Sequence, residues 1–219
     1  MSIGAYSTCE LSDALLKLKV AHGGYIPDIN MVSPDDRGVR VAGPAYTVRM
    51  CLLTDETAPP KPKDHFVDVA PSGSVMVISV PPQAKNAVWG GLMTAGAQAR
   101  GVLGVVISGR SRDLAEHLTA KFPVFARGNS TLGQGPFTRP AELNVPLTIS
   151  PVGDAALETV TVHPGDWIVA DCDGVVCVPA NLVTQVCELA ATGRQVDDRC
   201  MADIRAGKGI TATFSLHRG

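Results

Sequence analysis

Residues 89–113 read WGGLMTAGAQARGVLGVVISGRSRD, and the order of devices in this stretch decides the fold. Gly90-Gly91 opens a helical run from Leu92 to Arg100. Val102 to Ser108 is an apolar run with the length of a buried strand. Gly109 then leads into Arg110, Arg112 and Asp113. A glycine pair at a helix start lets free backbone N–H groups approach a small anion, with the positive end of the helix dipole behind them. An arginine beside a carboxylate at the carboxyl end of a strand supplies an anion clamp and a metal ligand.

Working outward, Pro71-Ser72-Gly73 turns into Ser74 to Val80, a β-branched run closed by Pro81-Pro82. The unit then reads strand, helix 86–100, strand 102–108, helix 112–121, strand 123–126. That alternation predicts right-handed βαβ crossovers and a parallel sheet. Ligands in such sheets sit at the carboxyl ends of strands, where Gly90 and the 109–113 cluster both fall.

The flanks are read by the same rules. Ser7-Thr8-Cys9-Glu10 has capping-box spacing, and Leu11, Ala14, Leu15 and Leu18 recur at helical spacing, so a helix opens the chain and ends at His22-Gly23-Gly24. Pro27 to Asp36 reads as loop. Val39 to Leu53 is a strand pair or one long bent strand, broken by Gly43-Pro44. Thr54 to Asp64 is polar and proline-rich, a surface loop. A glycine-rich segment follows Phe125 to about Pro140. From Val145 the pattern is all strand: Pro146 to Ile149, Thr159 to Val162, Trp167 to Asp171, then the hairpin signal Asp173-Gly174 before Val175 to Val178. Pro179 to Arg205 closes the chain as a helix. The fold class is α/β, with residues 1–219 as a single domain around a central βαβ unit.

Composition narrows the function classes. Hydrophobic residues are 45% and charged residues 18%, enough for a sizeable core and too apolar for disorder. A net charge of −2 gives no case for nucleic acid or an anionic membrane as partner. An acidic substrate therefore needs local positive charge, such as Arg110 and Arg112. The six cysteines form no CxxC pair, and no basic leader with an apolar run precedes Ser7. No apolar run has the length of a membrane span. The expectation is a cytoplasmic protein with reduced, mostly buried thiols.

Several residues also carry plainer readings. Gly90-Gly91 serves equally as packing glycines where a helix crosses a strand. Asp113 falls in the first turn of a predicted helix, where the dipole stabilises a carboxylate with no other role. His117, four residues on, shares its face and reads first as a solvated helix histidine, and Glu116 reads the same way. Asp171 and Asp173 flank a turn before they suggest a cation site. Asp197-Asp198 reads as a solvated face, and Cys177 lies in an apolar strand with no base nearby in sequence.

The string GGLM…ARGVLGVVISGRSRD resembles the RraA-like family, which contains 4-hydroxy-4-methyl-2-oxoglutarate / 4-carboxy-4-hydroxy-2-oxoadipate aldolases and the ribonuclease E activity regulator. The likeness covers nearly the whole chain: STCELSDALLKL resembles the family's first helix, VAGPAYTV its first strand and VHPGDWIVADCDGVVCVP its PGD block. GGYIPDINMVSP, GGLM and GRSRDLAEH are most similar to fungal members. The resemblance implies a layered β/β/α, swivelling-domain-like fold, assembled as a homotrimer or a dimer of trimers with active sites at subunit clefts.

It also implies chemistry. Asp113 would hold a divalent metal, Mg²⁺ or Mn²⁺, and Arg112 would bind the keto-acid substrate's oxygen or carboxylate. Backbone N–H groups of Gly90, Gly91, Leu92 and Met93 would cradle a carboxylate. The implied activity is class II aldol cleavage of a 4-hydroxy-2-oxo diacid to pyruvate plus a keto acid, with oxaloacetate decarboxylation alongside. The alternatives are a non-catalytic regulatory binding protein, or a fungal secondary-metabolism lyase on the same scaffold. Two positions depart from the family pattern. Gly91 stands where many bacterial members carry an acid that orders metal-bound water, which leaves the general acid/base unassigned, and Ser108 stands where Asp is common. A C-terminal Glu from a neighbouring subunit assists in some members, and Asp197 or Asp198 lies in that region here.

Overall fold

A computed structural model describes residues 2–153 and 159–218. Its strands are β1 (Asn30–Ser33), β2 (Val41–Leu52), β3 (Val75–Ser79), β4 (Ala87–Trp89), β5 (Gly104–Ser111), β6 (Val124–Asn129), β7 (Thr138–Leu143), β8 (Leu147–Ile149), β9 (Val160–Val162), β10 (Trp167–Asp171) and β11 (Gly174–Val178). The helices are α1 (Thr8–Lys17), α2 (Gly91–Ala99), α3 (Leu114–Ala120), α4 (Val183–Arg205) and α5 (Ile210–His217). Nine strands form one sheet in the order β1-β6-β5-β3-β2-β10-β11, with β4 on the end of β5 and β7 along the second half of β2. The expected parallel unit is present: β3 pairs β5 and β5 pairs β6 in parallel, and β2 joins β3 in the same sense.

Period-two burial explains the layering. Val75 and Val77 of β3 face one core with Val106, Phe125, Leu147, Ile149 and Ile168. Met76 and Ile78 face the other, with Tyr46, Trp89, Ile107 and Phe122. A parallel sheet buried on both faces has this composition. A third core joins Val169, Val176 and Val178 of β10 and β11 to Leu11 and Leu15 of α1 and Val186 and Ala190 of α4. Ile26 N–H donates to the Val175 carbonyl at 2.9 Å, and Tyr25 bridges Val176, so the sheet curls towards a nearly closed barrel.

The predicted capping box is formed: the Ser7 hydroxyl accepts from Glu10 N–H at 3.2 Å and Glu10 accepts from Ser7 N–H at 2.7 Å. Arg194 of α4 donates to the other Glu10 oxygen at 2.5 Å, and that bond holds the Glu10 pKa down to about 2. Val39 to Leu53 resolves as the single strand β2, whose first half pairs β10 and whose second half pairs β3 and β7.

Four elements differ from the sequence reading. Asn30–Ser33 is the edge strand β1 rather than loop, because β6 supplies its partner groups. Residues 87–89 are strand rather than the first turn of a helix, since Ala87, Val88 and Trp89 are all buried, which one helix face cannot achieve. β7 emerges from the segment read as weakly patterned, paired to β2. α5 was not expected, because Ile210, Thr211 and Thr213 are poor helix formers. Tertiary contacts hold it: Asp203 binds His217 at 2.9 Å and Asp197 binds Arg218 at 2.6 Å.

Candidate active site

The site is built on the end of β5. Its last two residues are held on both sides, Arg110 between Ala87 of β4 and Gly128 of β6, and Ser111 between Trp89 and Asn129. Arg112 N–H adds a bond to the Trp89 carbonyl at 2.9 Å. Asp113 then takes the left-handed conformation, φ 61° and ψ 43°. Asp tolerates that region better than most residues, at about 1–3 kcal/mol of strain. The turn sends the carboxylate away from its own helix. Asp113 makes no cap bond to α3, contrary to the first-turn reading, and instead accepts Gly91 N–H of α2 at 3.0 Å. Gly90, at the N-cap of α2, has no side chain to do this. Arg112 Nε lies 3.5 Å from the same Asp113 oxygen.

Side-chain ends pack closely on both glycines. A Cβ on Gly90 would stand 2.5 Å from Asp113 Oδ2, and one on Gly91 would stand 1.5 Å from Glu116 Oε2. The Glu116 carboxylate therefore covers Gly91 and fills the space a side chain there would take. Glu116 is exposed, as read, and its carboxylate lies over Gly91 without lining the cavity formed by Gly90, Arg112 and Asp113. On the other side, a Cβ on Gly133 would meet Arg112 Nη1 at 2.6 Å, so the 130–135 loop closes over the guanidinium.

Gly90, Leu92, Met93, Arg112 and Asp113 line one cavity of about 180 Å³, and Gly91 joins them through its bond to Asp113. The sequence-predicted residues thus converge. His65 and Gln134 also line this cavity and were not anticipated. Val67 N–H donates to His65 Nδ1 at 3.2 Å, so the neutral ring carries its proton on Nε2. No spacing signal marks His65. The glycine-rich composition of 128–135 was the available hint for Gly133 and Gln134.

A sequence model of the RraA-like family, described as Aldolase/RraA, matches residues 8–177. The chain belongs to the RraA-like family. It is 28% identical over 204 residues to protein DlpA of Legionella pneumophila, covering 93% of this chain but 31% of DlpA, so it spans about a third of that relative. It is 30% identical to a Halalkalibacterium halodurans protein named "Putative 4-hydroxy-4-methyl-2-oxoglutarate aldolase", covering 88% of this chain and 80% of the relative. The crystal structure of an uncharacterized Pseudomonas syringae protein superposes with a TM-score of 0.78 at 32% identity, covering 95% of this chain and 92% of that one.

In this RraA-like chain α2 and α3 are locked together by a buried polar chain. Trp89 Nε1–H donates to Thr94 Oγ1 at 2.9 Å, and Thr94 Oγ1 lies 2.9 Å from His117 Nδ1. The hydroxyl accepts from Trp89 and shares its second bond with His117 Nδ1, while His117 Nε2 is buried without a hydrogen-bond partner among the described residues. His117 is fully buried, not solvated as read from sequence, and it is not a ligand of the Asp113 site. Burial pushes its pKa down, against the Arg112 carbonyl and the Asp113 and Glu116 charges. It positions α3, and with it Glu116, over α2.

The remaining sequence candidates have structural roles in the RraA-like fold. Asp171 accepts from Thr8 N–H at 3.0 Å, Thr8 Oγ1 at 2.6 Å, Arg40 Nε at 3.2 Å and Asp173 N–H at 3.1 Å, so its oxygens are committed. Asp197 pairs with Arg218. Burial and the neighbouring Asp166 push the Cys177 thiol well up, which keeps it inert. No helix among the described residues is long and apolar enough to cross a membrane.

Proposed function

We propose that the chain is a divalent-metal-dependent pyruvate aldolase, cleaving 4-hydroxy-4-methyl-2-oxoglutarate-type 4-hydroxy-2-oxo diacids and decarboxylating oxaloacetate. One observation carries this reading: the Asp113 and Glu116 carboxylates and the Arg112 guanidinium converge on the Gly90-Gly91 start of α2. Catalysis of carbon–carbon cleavage next to a keto group needs an anion clamp, a hard-cation ligand and a proton carrier, and these groups match those needs.

The donor set fits a hard cation. Asp113 Oδ2 is engaged by Gly91 N–H, its other oxygen makes no hydrogen bond among the described residues, and Glu116 supplies further carboxylate oxygen beside it. Mg²⁺ or Mn²⁺ on one or two carboxylates, completed by water, suits such a site. When bound, the cation supplies Lewis acidity to the keto acid's carbonyl. Arg112 binds the substrate carboxylate, and the Leu92 and Met93 N–H groups, which have no intrahelical acceptor in the first turn, add donors. Glu116 takes the proton from the C4 hydroxyl as the C3–C4 bond breaks and returns it to C3 of the departing pyruvate. In oxaloacetate the same carboxylate protonates C3 after carbon dioxide leaves. Glu116 thus supplies from α3 the acid that Gly91 lacks.

We place the site at a cleft between subunits of a homotrimer or a dimer of trimers. Leu92, 83% exposed at the cavity rim, supports this, since a large apolar side chain there calls for cover. The unpaired thiols support a cytoplasmic location. Pyruvate release from both substrates, measured with Mg²⁺, Mn²⁺ and EDTA, tests the reading. Metal-dependent turnover is the expected result. A folded protein that releases no pyruvate from either would overturn it in favour of a non-catalytic binding role.

A further inference from the structure

A second and larger cavity, about 550 Å³, opens at the same sheet edge. It is lined by Ser108 and Arg110 of β5, whereas Arg112 and Asp113 line the first, and no residue lines both. Four cationic side chains border it: Arg49, Lys85, Arg110 and Arg127. No carboxylate lines it among the described residues. Its apolar wall includes Val80 and Ile149.

Among the described residues the compensation of those charges is incomplete. Arg49 is paired with Glu142. Arg110 donates to the Asn129 carbonyl at 3.0 Å and Arg127 to the Ser150 carbonyl, both neutral acceptors. Lys85 makes no ion pair among the described residues. Arg127 Nε is buried without a hydrogen-bond partner. Among the described residues the carboxylate that acts on Arg127 is Asp28, and one Asp28 oxygen is already taken by Val152 N–H at 2.6 Å. A half-buried guanidinium with neutral acceptors and an orphaned Nε is costly unless an anion completes its shell. Guanidinium groups match the paired oxygens of carboxylates and phosphates, and the carboxyl ends of parallel strands are where α/β sheets take ligands.

We propose that this cavity is a second ligand site, separate from the Asp113 site, for a small organic anion carrying two or more negative charges. Arg110, Arg127 and Lys85 bind its oxygens, and the Val80–Ile149 wall packs its carbon skeleton. Phosphate esters and di- or tricarboxylates share this chemistry. The site stands whether or not the Asp113 site is a lyase, because it is read by binding alone.

Calorimetric titration of the intact protein with inorganic phosphate, pyrophosphate and citrate, at fixed ionic strength against a sodium chloride control, tests it. Saturable binding of at least one is expected, weakened about tenfold in Arg110→Gln and several-fold in Lys85→Gln, both chosen because they spare the buried Arg127. Tighter pyrophosphate binding assigns phosphate esters and tighter citrate binding assigns polycarboxylates; both support the site. No saturable binding of any of the three overturns it. So does binding that survives in Arg110→Gln and is lost in Arg112→Gln, which would put the anion in the first cavity.

Discussion

The two cavities share strand β5 and differ in the sign of what surrounds them. At the first, Arg112 stands beside Asp113, and Glu116 covers the adjacent glycine. At the second, Arg110 and Arg127 meet, among the described residues, carbonyls and the charge of Asp28. Only Ser111 separates Arg110 from Arg112, yet Arg112 faces mixed charge and Arg110 faces cations. Capture of an anion needs only positive charge, whereas bond cleavage also needs a group that holds a cation or moves a proton. On the two proposals, the carboxyl end of β5 serves two cavities, bond cleavage at the one reached by Arg112 and Asp113 and anion binding at the one reached by Arg110.

The sharpest way to break that contrast is Asp113→Asn. Asn accepts the left-handed backbone and can still receive Gly91 N–H, so the fold and the α2 cap survive while the charge is lost. Several kcal/mol of charge stabilisation corresponds to a fall in kcat/KM of about 10³-fold or more. Pyruvate release, with circular dichroism to check the fold, measures it. A variant that kept most of its turnover would reduce Asp113 to a helix cap.

Glu116→Gln sharpens the same side, with an expected loss of about 10²-fold in kcat for a missing proton carrier and a flattened pH–rate profile. Because Gly91 and Glu116 occupy one space, the carboxylate can be moved between them. Gly91→Asp alone displaces the Glu116 carboxylate, while Gly91→Asp combined with Glu116→Ala restores turnover above that of Glu116→Ala. Failure of that exchange in a folded double variant would remove Glu116 from the proton path.

How much of this was legible in the sequence depends on distance along the chain. The β3-α2-β5-α3-β6 order, the Ser7–Glu10 cap and the meeting of Gly90 with Arg112-Asp113 follow from local pattern and one topological rule. What escaped was set by contacts between distant segments. Asn30–Ser33 becomes a strand beside β6, and α5 is anchored to α4 by Asp203 on His217 and Asp197 on Arg218. His117 departs from its reading and Glu116 does not: a helix predicted from 112 puts both on a wheel, but no wheel shows that the exposed Glu116 lies over Gly91 and the buried His117 against Thr94. Arg110 and Arg112 likewise read as one cluster, whereas the structure places them in two cavities where β4 pairs the end of β5.

Thr94→Val probes what keeps the first cavity in register. The exchange preserves shape but leaves Trp89 Nε1–H and His117 Nδ1 unpaired, at a cost of about 2 kcal/mol or more in unfolding free energy. Denaturant titration measures it, and the anion affinity of the second cavity should hold, since none of the three residues lines it.

The smallest expected effect is a pH dependence that belongs to the first cavity alone. Burial depresses the His117 pKa in the folded chain below its ordinary value of 6.5. Above that value the ring is neutral in both states and costs nothing. As pH falls below about 6.5 the unfolded chain takes up a proton that the folded chain resists, so stability is lost progressively towards the depressed folded pKa. Glu10 works in the same direction but in another window, from its ordinary 4.5 down to about 2. Melting temperatures between pH 7 and 5 therefore isolate the histidine, and His117→Gln should flatten the slope there while leaving the fall below pH 4.5 intact. An unchanged slope would mean that His117 accepts its proton in place, held by the Arg112 carbonyl and the Asp113 and Glu116 charges. In that case the network would hold α3 over α2 in either charge state, and mild acid would not loosen Glu116 from Gly91.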